Sequence, residues 1–463
     1  MSAVASETRG ELALVLHTHM PYVEGFGTWP FGEEWLWEAI ATSYLPLLDV
    51  LDAHPGAVTL SLTPVLADQL EAPGAMARCL EFLRTVRPET HARDAAQLRG
   101  RGETAAAAEL DRSARAYADA ADRLEQVQAP PGGLLSALGA HAQWTSSATH
   151  AVLPLLATDL GIELQVQTGI ASHRRRFGGW DGGFWLPECA HAGWCDGRLQ
   201  AAGVRAACVE LTSRFGLGSA DQLRPLAAEA GPVLWPIDRA MIALVWSQHG
   251  YPSRASYRDY HRHTSFRHQA WRTDGAPYRH QAALKQARSD AAEFVAAVGD
   301  RVRDGGVCVV ALDTELLGHW WYEGVAWLRA VLTEAGRQGL ALTTLDEATH
   351  RHRPAPAPAD LGVTSWGEGG DLRTWSGPRV AGIAFALRTA ELQLAVAQPP
   401  AGVRARRELL ALQSSDWAFL ADRGTAGDYP RERALGHRAA FERALAGDPS
   451  LAPELRGLAP DLV

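Results

Sequence analysis

Two apolar runs in this 463-residue chain end in a carboxylate, and this arrangement restricts the possible folds most strongly. Six apolar residues at 307–312 lead into Asp313, and the apolar residues 184–187 lead into Glu188. A buried strand that ends in a carboxylate is the way in which α/β barrels build active sites. Two such carboxylates with tryptophans nearby fit the pair of acids that cleaves glycosidic bonds.

Short apolar runs alternate with helical stretches along the chain. This alternation predicts an α/β fold with a parallel sheet and crossover helices. About seven strands with polar residues at the same ends favour closure into a barrel. The predicted helices include residues 278–298 and 323–338. The predicted strands are residues 11–17, 58–62, 184–186, 204–210, 241–246, 307–312 and 340–344.

The chain divides into three parts by composition. Residues 75–128 are rich in alanine, arginine and glutamate, which predicts a helical insertion that ends at a Pro-Pro-Gly-Gly sequence. We therefore predict a catalytic barrel at 1–352 that includes this insertion. A proline-rich linker and a tryptophan-bearing loop follow at 353–379, and residues 380–463 form a helical domain.

Charge and cysteine content limit the partners and the compartment. The chain has 44 basic and 53 acidic residues, and its net charge of −9 argues against nucleic acid or an anionic membrane as partner. The basic stretch 258–272 is expected to be a solvated surface or to form structural ion pairs. Five scattered cysteines indicate a reducing compartment. Without a leader or a spanning apolar run, the expected location is the cytoplasm.

Histidine and tryptophan supply further candidate site residues. Many of the 16 tryptophans lie beside glycine or charged residues, which suits rings in a sugar-binding cleft, although tryptophan also fills cores. His17 and His19 point the same way from an extended chain, either as a polar strand end, as metal ligands or as donors to sugar hydroxyls. Cys189, His191 and Cys195 do not have the spacing of common zinc sites.

The two carboxylates allow both catalytic and structural interpretations. A nucleophilic Glu188 must stay ionised and needs hydrogen-bond donors, but it could simply begin a helix after proline. Asp313 as a general acid needs a raised pKa, which apolar surroundings and a neighbouring carboxylate would give, but it could instead cap a helix. Glu315 is a possible supporting acid.

Several motifs together resemble glycoside hydrolase family 57, and within it the α-1,4-glucan branching enzymes. The resemblance spans nearly the whole chain, and the ordered set is far more specific than any single motif. It is carried by HTHMPYV at 17–23, SATHAVLPLL at 147–156, FWLPECAH at 184–191, VWS at 245–247, LDTELLGHWWYEG at 312–324, the loop from Trp366 to Trp375, and QSSDW at 413–417.

This resemblance implies a (β/α)7 barrel with a helical insertion and a C-terminal helical domain. It also implies a retaining mechanism without a metal or another cofactor, in which Glu188 is the nucleophile and Asp313 the general acid/base. The implied substrate is an α-glucan, and a monomer is expected. The residues expected to bind substrate are His17, His19, His150, Trp29, Trp246, Trp320, Trp321, Trp366, Trp375 and Asp416.

Other activities remain open from the sequence. Branching members of the family carry a loop whose tyrosine covers the site and limits water, but residues 189–245 contain no tyrosine. Because water exclusion favours transfer to a sugar, a hydrolase or a 4-α-glucanotransferase is the main alternative. More distant alternatives are a metal-dependent sugar deacetylase that uses His17, His19 and Asp313, and a non-catalytic glucan-binding module.

Overall fold

A computed structural model describes residues 10–398, 401–452, 455 and 457–463. Residues 1–9, where the sequence predicts no leader, lie outside the described residues. The strands are β1 (Glu11–Thr18), β2 (Thr59–Leu62), β3 (Ala142–Ser146), β4 (Gly183–Trp185), β5 (Ala206–Val209), β6 (Leu226–Ala227), β7 (Val233–Pro236), β8 (Val307–Asp313), β9 (Ala341–Leu342) and β10 (Ala355–Pro356).

The strands form one mostly parallel, curled sheet. Its order is β10-β6-β7-β5-β4-β3-β2-β1-β8, and the short β9 also pairs with β1. Only β6 and β7 pair antiparallel among the strands described. The seven main strands run in the order β7-β5-β4-β3-β2-β1-β8, so β7 and β8 lie at opposite edges. Just after β7, the backbone N–H of Asp238 donates to Val309 O of β8 at 2.8 Å, and this contact brings the two edge strands together. The predicted barrel of parallel strands is confirmed.

Helices connect the strands of the sheet, and further helices follow the last strand. π-Helical turns at Ile40–Tyr44 and Phe82–Val86 join α1 to α2 and α4 to α5. The α-helices are α1 (Glu33–Ala39), α2 (Leu45–Ala53), α3 (Pro64–Glu71), α4 (Ala75–Glu81), α5 (Arg87–Gly100), α6 (Thr104–Gln128), α7 (Gly133–Gly139), α8 (Asp159–Phe177), α9 (Gly193–Ala201), α10 (Thr212–Phe215), α11 (Arg239–Val245), α12 (His280–Arg301), α13 (Gly324–Gln338), α14 (Leu345–Arg351), α15 (Arg373–Ser376), α16 (Ala381–Ala395), α17 (Val403–Leu412), α18 (Ser415–Arg423) and α19 (Tyr429–Leu445).

The central strands read as continuous apolar runs because they are covered on both faces. In β1 every residue after Glu11 is buried, and in β8 every residue before Asp313 is buried. In β1 and β8 the polar residues therefore appear only near the ends of the strand. Helices α4 to α6 occupy residues 75–128, so this stretch is helical as predicted.

The C-terminal helices α16 to α19 share a hydrophobic core with the carboxyl-end loops of the barrel. Tyr22 and Val152 from the barrel side belong to the same buried cluster as Leu409 and Trp417. This packing carries the start of α18 toward the strand ends. The boundaries predicted for the domains stay a prediction.

One local prediction was wrong. Residues 241–246 were expected to be a strand, but Arg239–Val245 is a helix, because the Asp238 side chain accepts from the backbone N–H of Met241 at 3.1 Å and starts it. The strand lies one segment earlier, at β7. The proline-rich segment predicted as a linker also contributes the short strand β10, which pairs with β6, and its role as a linker stays a prediction.

All five cysteines are free thiols in buried positions. Among the described residues, no helix combines the length and apolar character required to cross a membrane.

Candidate active site

The candidate catalytic side chains lie where the barrel strands end. Asp313 is the last residue of β8, and it pairs in register with His17 at the end of β1. Glu188 follows β4 after a short turn, and His150 follows β3. Parallel strands bring their carboxyl ends to one edge of a barrel, so residues far apart in sequence meet there. The charge of Asp313 contributes to raising the pKa of Glu188, as expected of two carboxyls in one site.

Glu188 is held by hydrogen-bond donors on both carboxyl oxygens. The Trp366 indole Nε1–H donates to Oε2 at 2.8 Å, and the Ser415 hydroxyl donates to Oε1 at 3.1 Å. Burial raises the pKa of Glu188 to about 7 against the effect of these donors, and the charges of Asp313 and Asp416 add to the rise. From the sequence alone, His191, His17 or His19 were the expected donors to Glu188, but the donors are Trp366 and Ser415.

The backbone at Glu188 adopts a rare conformation. Its φ of 63° and that of Cys189 at 48° both lie in the left-handed region, which L-residues seldom occupy. The backbone N–H of Trp366 donates to the backbone carbonyl of Glu188 at 2.9 Å and helps to hold this turn. Such conformations persist where the surroundings determine them, and they cluster at functional sites.

Asp313 lies in a different environment. Burial raises its pKa to about 7, with a further contribution from the charge of Glu315, while His19 opposes the rise. No described residue donates a hydrogen bond to the Asp313 carboxyl. Glu315 accepts hydrogen bonds from the Tyr44 hydroxyl at 2.6 Å and from the His19 N–H at 3.1 Å. An acid that holds its proton near neutrality suits the role predicted for Asp313.

His17 and His150 form a buried pair beneath the carboxylates. Their Nε2 atoms are 2.9 Å apart, and the His17 ring stacks on Trp185 with centroids 4.4 Å apart. Burial lowers the pKa of both rings, and the neighbouring His19 adds to this effect, so both are neutral at pH 7. Their remaining ring nitrogens contact Ser61 and Ser415.

His19 is bound to the C-terminal helices. Its Nε2 contacts both carboxyl oxygens of Asp416, at 3.0 and 3.1 Å, and its Nδ1 contacts Thr63. Burial acts against protonation, yet the Asp416 carboxylate raises the pKa of His19. Both ring nitrogens of His17, His19 and His150 are therefore engaged within the protein, and their direct contact with sugar stays a prediction.

Three of the predicted tryptophans have exposed or partly exposed rings beside the strand ends. Trp246 is 53% exposed and stacks on Trp320, with ring centroids 5.9 Å apart. Trp366 is partly buried beside Trp185, at a centroid distance of 5.2 Å. These rings are available for stacking on the C–H faces of sugars.

Trp29 is 54% exposed and lines a separate cavity of about 380 Å³. The helical insertion supplies Phe82 and Val86 to the wall of this cavity, and Phe266 also lines it. Its volume lies within the range of small-molecule sites.

Two predicted substrate-binding tryptophans are instead part of the core. Trp321 is 1% exposed and packs against Tyr257 and Trp327. Trp375 is 3% exposed and lies against Gly367, where an added Cβ would come within 2.7 Å of its ring. The prediction that these two rings stack on substrate was wrong, because packing encloses them. Trp375 supports the loop that bears Trp366.

The sequence interpretation did not single out Ser415 as a site residue. Ser415 contacts both Glu188 and His150, and only its place beside Asp416 in the QSSDW motif hinted at this.

No group of three or more histidine, cysteine, aspartate or glutamate side chains among the described residues is arranged to hold a metal ion. The deacetylase alternative thus finds no ligand set in this part of the chain.

Comparison with known proteins gives the family. The profile of glycosyl hydrolase family 57 matches residues 142–358. A "probable 1,4-alpha-glucan branching enzyme" of Mycobacterium tuberculosis is 32% identical over 504 aligned residues, which cover 96% of this chain and 94% of the relative. The chain belongs to glycosyl hydrolase family 57. The profile described as "1,4-alpha-glucan branching enzyme, C-terminal" matches residues 395–447.

Other family 57 members agree in sequence and in structure. A 1,4-alpha-glucan branching enzyme of Thermococcus kodakarensis is 30% identical, over 94% of this chain and 73% of the relative. The crystal structure of a GH57-type branching enzyme from Pyrococcus horikoshii superposes with a TM-score of 0.85 at 29% identity, covering 94% of this chain and 89% of that one. The predicted resemblance to family 57 is confirmed.

Proposed function

We propose that this chain is a 1,4-α-glucan branching enzyme, which cleaves α-1,4 links in a glucan and joins the released segment to a 6-hydroxyl. The observation that carries the proposal is the composite site. Glu188 and Asp313 lie at barrel strand ends, and Ser415 and Asp416 from the C-terminal helices complete the site. Those helices resemble the C-terminal region of branching enzymes, and the curated relatives of this chain carry that name.

In the first step, a Glu188 carboxylate oxygen attacks the anomeric carbon of the scissile link. The bond from this carbon to the glycosidic oxygen breaks, and Asp313 gives its proton to that oxygen. The product is a glycosyl ester on Glu188, and Asp313 is left as a carboxylate. The hydrogen bonds from Trp366 and Ser415 favour the ionised form of Glu188 that this attack requires.

In the second step, the 6-hydroxyl of an acceptor glucan attacks the same anomeric carbon. Asp313 takes the hydroxyl proton, the ester bond breaks, and Glu188 returns as a carboxylate. Two inversions give retention, so the new α-1,6 link keeps the anomeric configuration of the original. If water enters in place of the acceptor, the same chemistry gives hydrolysis.

Aromatic rings indicate a path for the glucan. The stacked pair of Trp246 and Trp320 and the ring of Trp366 offer faces for glucosyl units near the carboxylates. Trp29 and its cavity offer a further apolar surface on the side of the helical insertion. We place the reaction in cytoplasmic glycogen biosynthesis and expect the enzyme to act as a monomer.

The test is the product profile on amylose. Branching predicts new α-1,6 links, counted as short chains released by a debranching enzyme, with little rise in reducing ends. Glu188→Ala and Asp313→Ala are the matched controls and should form no product. A rise in reducing ends with no α-1,6 links formed would contradict the proposal.

A rise in reducing ends without new α-1,6 links would identify an α-1,4-glucan hydrolase. One observation favours this second candidate. Residues 189–245 contain no tyrosine, so the ring that covers the site in branching members of the family has no equivalent there. Access of water to the glycosyl ester sets the balance between the two reactions.

A further inference from the structure

A chain of hydrogen bonds links the first barrel strand to the nucleophile through the C-terminal helices. The two Nε2 atoms of His17 and His150 are 2.9 Å apart. His150 Nδ1 is 2.8 Å from the Ser415 hydroxyl, which in turn is 3.1 Å from Glu188 Oε1. The backbone N–H of Ser415 also donates to the His150 carbonyl at 3.2 Å, so these two residues are joined twice.

The chemistry of the groups fixes the direction of this chain. An ionised carboxylate only accepts, so Ser415 donates its hydroxyl proton to Glu188. The Ser415 oxygen must then accept from His150, which places the proton of this neutral ring on Nδ1. His150 Nε2 is left as an acceptor.

The same reasoning continues to the far end of the chain. Because His150 Nε2 accepts, the Nε2 of the neutral His17 ring must carry the proton and donate it. His17 Nδ1 then accepts from the Ser61 hydroxyl at 3.3 Å. This assignment satisfies every group in the chain. With the opposite direction, Ser415 would donate to His150 and Glu188 Oε1 would lose its donor.

We propose that Ser415 is a positioning residue for the nucleophile, oriented by the Nδ1–H tautomer of His150 and, through it, by His17. The proposal rests on the proposed function, since it concerns the attack by Glu188. Trp366 binds one carboxyl oxygen and Ser415 the other, so the two donors together fix the rotation of the carboxylate. Ser415 is the first residue of α18, so the C-terminal helices supply one of the two donors.

The position of Ser415 explains why a hydroxyl is needed there. Glu188 is buried close to Asp313 and Asp416, and both charges disfavour its ionised form. Each hydrogen bond to the carboxylate acts in the other direction. A histidine that donates to the serine hydroxyl polarises it and makes it a better donor to Glu188.

The first experiment is the pH dependence of kcat/KM for amylose cleavage by Ser415→Ala. Loss of this donor should move the acid limb of the profile upward by about one to two pH units, because a hydrogen bond to a charged group contributes that much to its ionisation. kcat should fall by about tenfold or more, with a smaller change in KM. Ser415→Thr keeps the hydroxyl and should restore the acid limb.

Ser414→Ala is the matched control. Ser414 donates to Asp416 and not to Glu188. The Asp416 charge raises the pKa of Glu188, so a weaker charge there could only lower it, and the acid limb should not move upward. An equal shift in both variants, or a loss of kcat in Ser415→Ala with an unchanged acid limb, would overturn the proposal and leave Ser415 with a packing role only.

A second measurement does not depend on any variant at position 415. The ¹⁵N chemical shifts of the histidine rings in the full-length enzyme distinguish the two neutral tautomers, and the His150 signals are assigned by their loss in His150→Gln. We expect Nδ1–H for His150 and Nε2–H for His17. An Nε2–H tautomer of His150 would overturn the proposal even if the enzyme cleaves amylose. A wild-type enzyme that does not cleave amylose would instead reject the proposed function, and the tautomers could still be read.

Discussion

Burial raises the pKa of both Glu188 and Asp313 to about 7, but their hydrogen bonding separates their roles. Glu188 accepts two hydrogen bonds, from Trp366 and Ser415, which favour its ionised form. Asp313 accepts none from the described residues, so it holds its proton more readily. Environment therefore assigns the nucleophile and the acid to a pair of chemically similar side chains.

Asp313→Asn should distinguish the general acid from the nucleophile, because only substrates whose leaving group needs a proton depend on the acid. Without its general acid, the enzyme should cleave amylose about 10³-fold more slowly, because the leaving oxygen receives no proton. An α-maltosyl fluoride needs no such proton, so fluoride release should continue and a glycosyl ester should accumulate on Glu188. Mass spectrometry of the intact protein detects this ester. Equal loss on both substrates would contradict the assignment, and Glu188→Gln, the control, should lose both reactions.

The pH profile of the wild-type enzyme should be bell-shaped with a maximum near pH 7. The productive form has Glu188 ionised and Asp313 protonated. As the pH falls below the pKa of Glu188, the nucleophile is lost; as it rises above that of Asp313, the acid is lost. The two carboxyls interact, so the limbs report the pair. Measurement of kcat/KM between pH 4 and 10 checks this, and a plateau extending to pH 9 would contradict it.

The sequence predicted the two carboxylates because one ends a buried strand and the other comes shortly after one, where a charge has few structural uses. It did not distinguish Trp366 from Trp375, since both lie in one glycine-rich loop. Trp366 contacts Glu188, whereas Trp375 packs into the core beneath that loop. Which ring faces the site depends on the packing of residues far away in the chain, and a local pattern does not contain this information.

The same limit applies to the secondary-structure elements. Strands β1 and β8 were predictable because long apolar runs bounded by polar residues have few other interpretations. The run 241–246 was equally apolar, but Asp238 caps a helix there. β3 was missed because its polar residue Gln143 made the segment look unlike a core strand. In the structure the Gln143 side chain accepts a hydrogen bond from the backbone N–H of Leu60 at 3.0 Å, which satisfies it inside the sheet. Short apolar runs remain ambiguous until their neighbours are known.

At the level of elements, the helical insertion is joined to the barrel by buried charges. Glu109 in α6 accepts hydrogen bonds from Arg112 at 2.7 Å and Arg258 at 2.5 Å. The Arg258 guanidinium lies over the ring of Tyr322, with its carbon 3.7 Å from the centroid. The basic stretch 258–272 thus begins with a structural ion pair, one of the two interpretations that the sequence allowed.

Glu109→Gln should destabilise the protein by about 3 kcal/mol, because Arg258 stays buried without its countercharge. Urea unfolding followed by tryptophan fluorescence measures the change. The control is Glu89→Gln in the same insertion, where the pair with Arg93 is exposed and contributes little. Equal effects of the two substitutions would show that burial does not determine the strength of the Glu109 interactions.

At the level of the whole molecule, the barrel and the C-terminal helices share both a core and a catalytic site. The Glu391 carboxylate of α16 accepts from the backbone N–H groups of Ala157 at 3.0 Å and Thr158 at 2.7 Å, and from the Thr158 hydroxyl. Thr149 in the barrel loop after β3 donates to the Leu410 carbonyl of α17. These contacts tie α16 and α17 to the loops that position His150.

We therefore expect the full chain to unfold in one calorimetric transition, although the sequence predicts a separate domain at 380–463. Glu391→Ala removes a carboxylate that spans the junction, and it should lower the free energy of unfolding by about 2–4 kcal/mol while the transition stays single. Glu442→Ala is the control, because the Glu442 side chain is exposed and Arg438 keeps its hydrogen bond to the Ala386 carbonyl, so stability should change little. A second, earlier transition in either protein would mean that the C-terminal helices unfold independently. In that case Ser415 would leave Glu188 before the barrel melts, and amylose cleavage would be lost at the lower of the two temperatures.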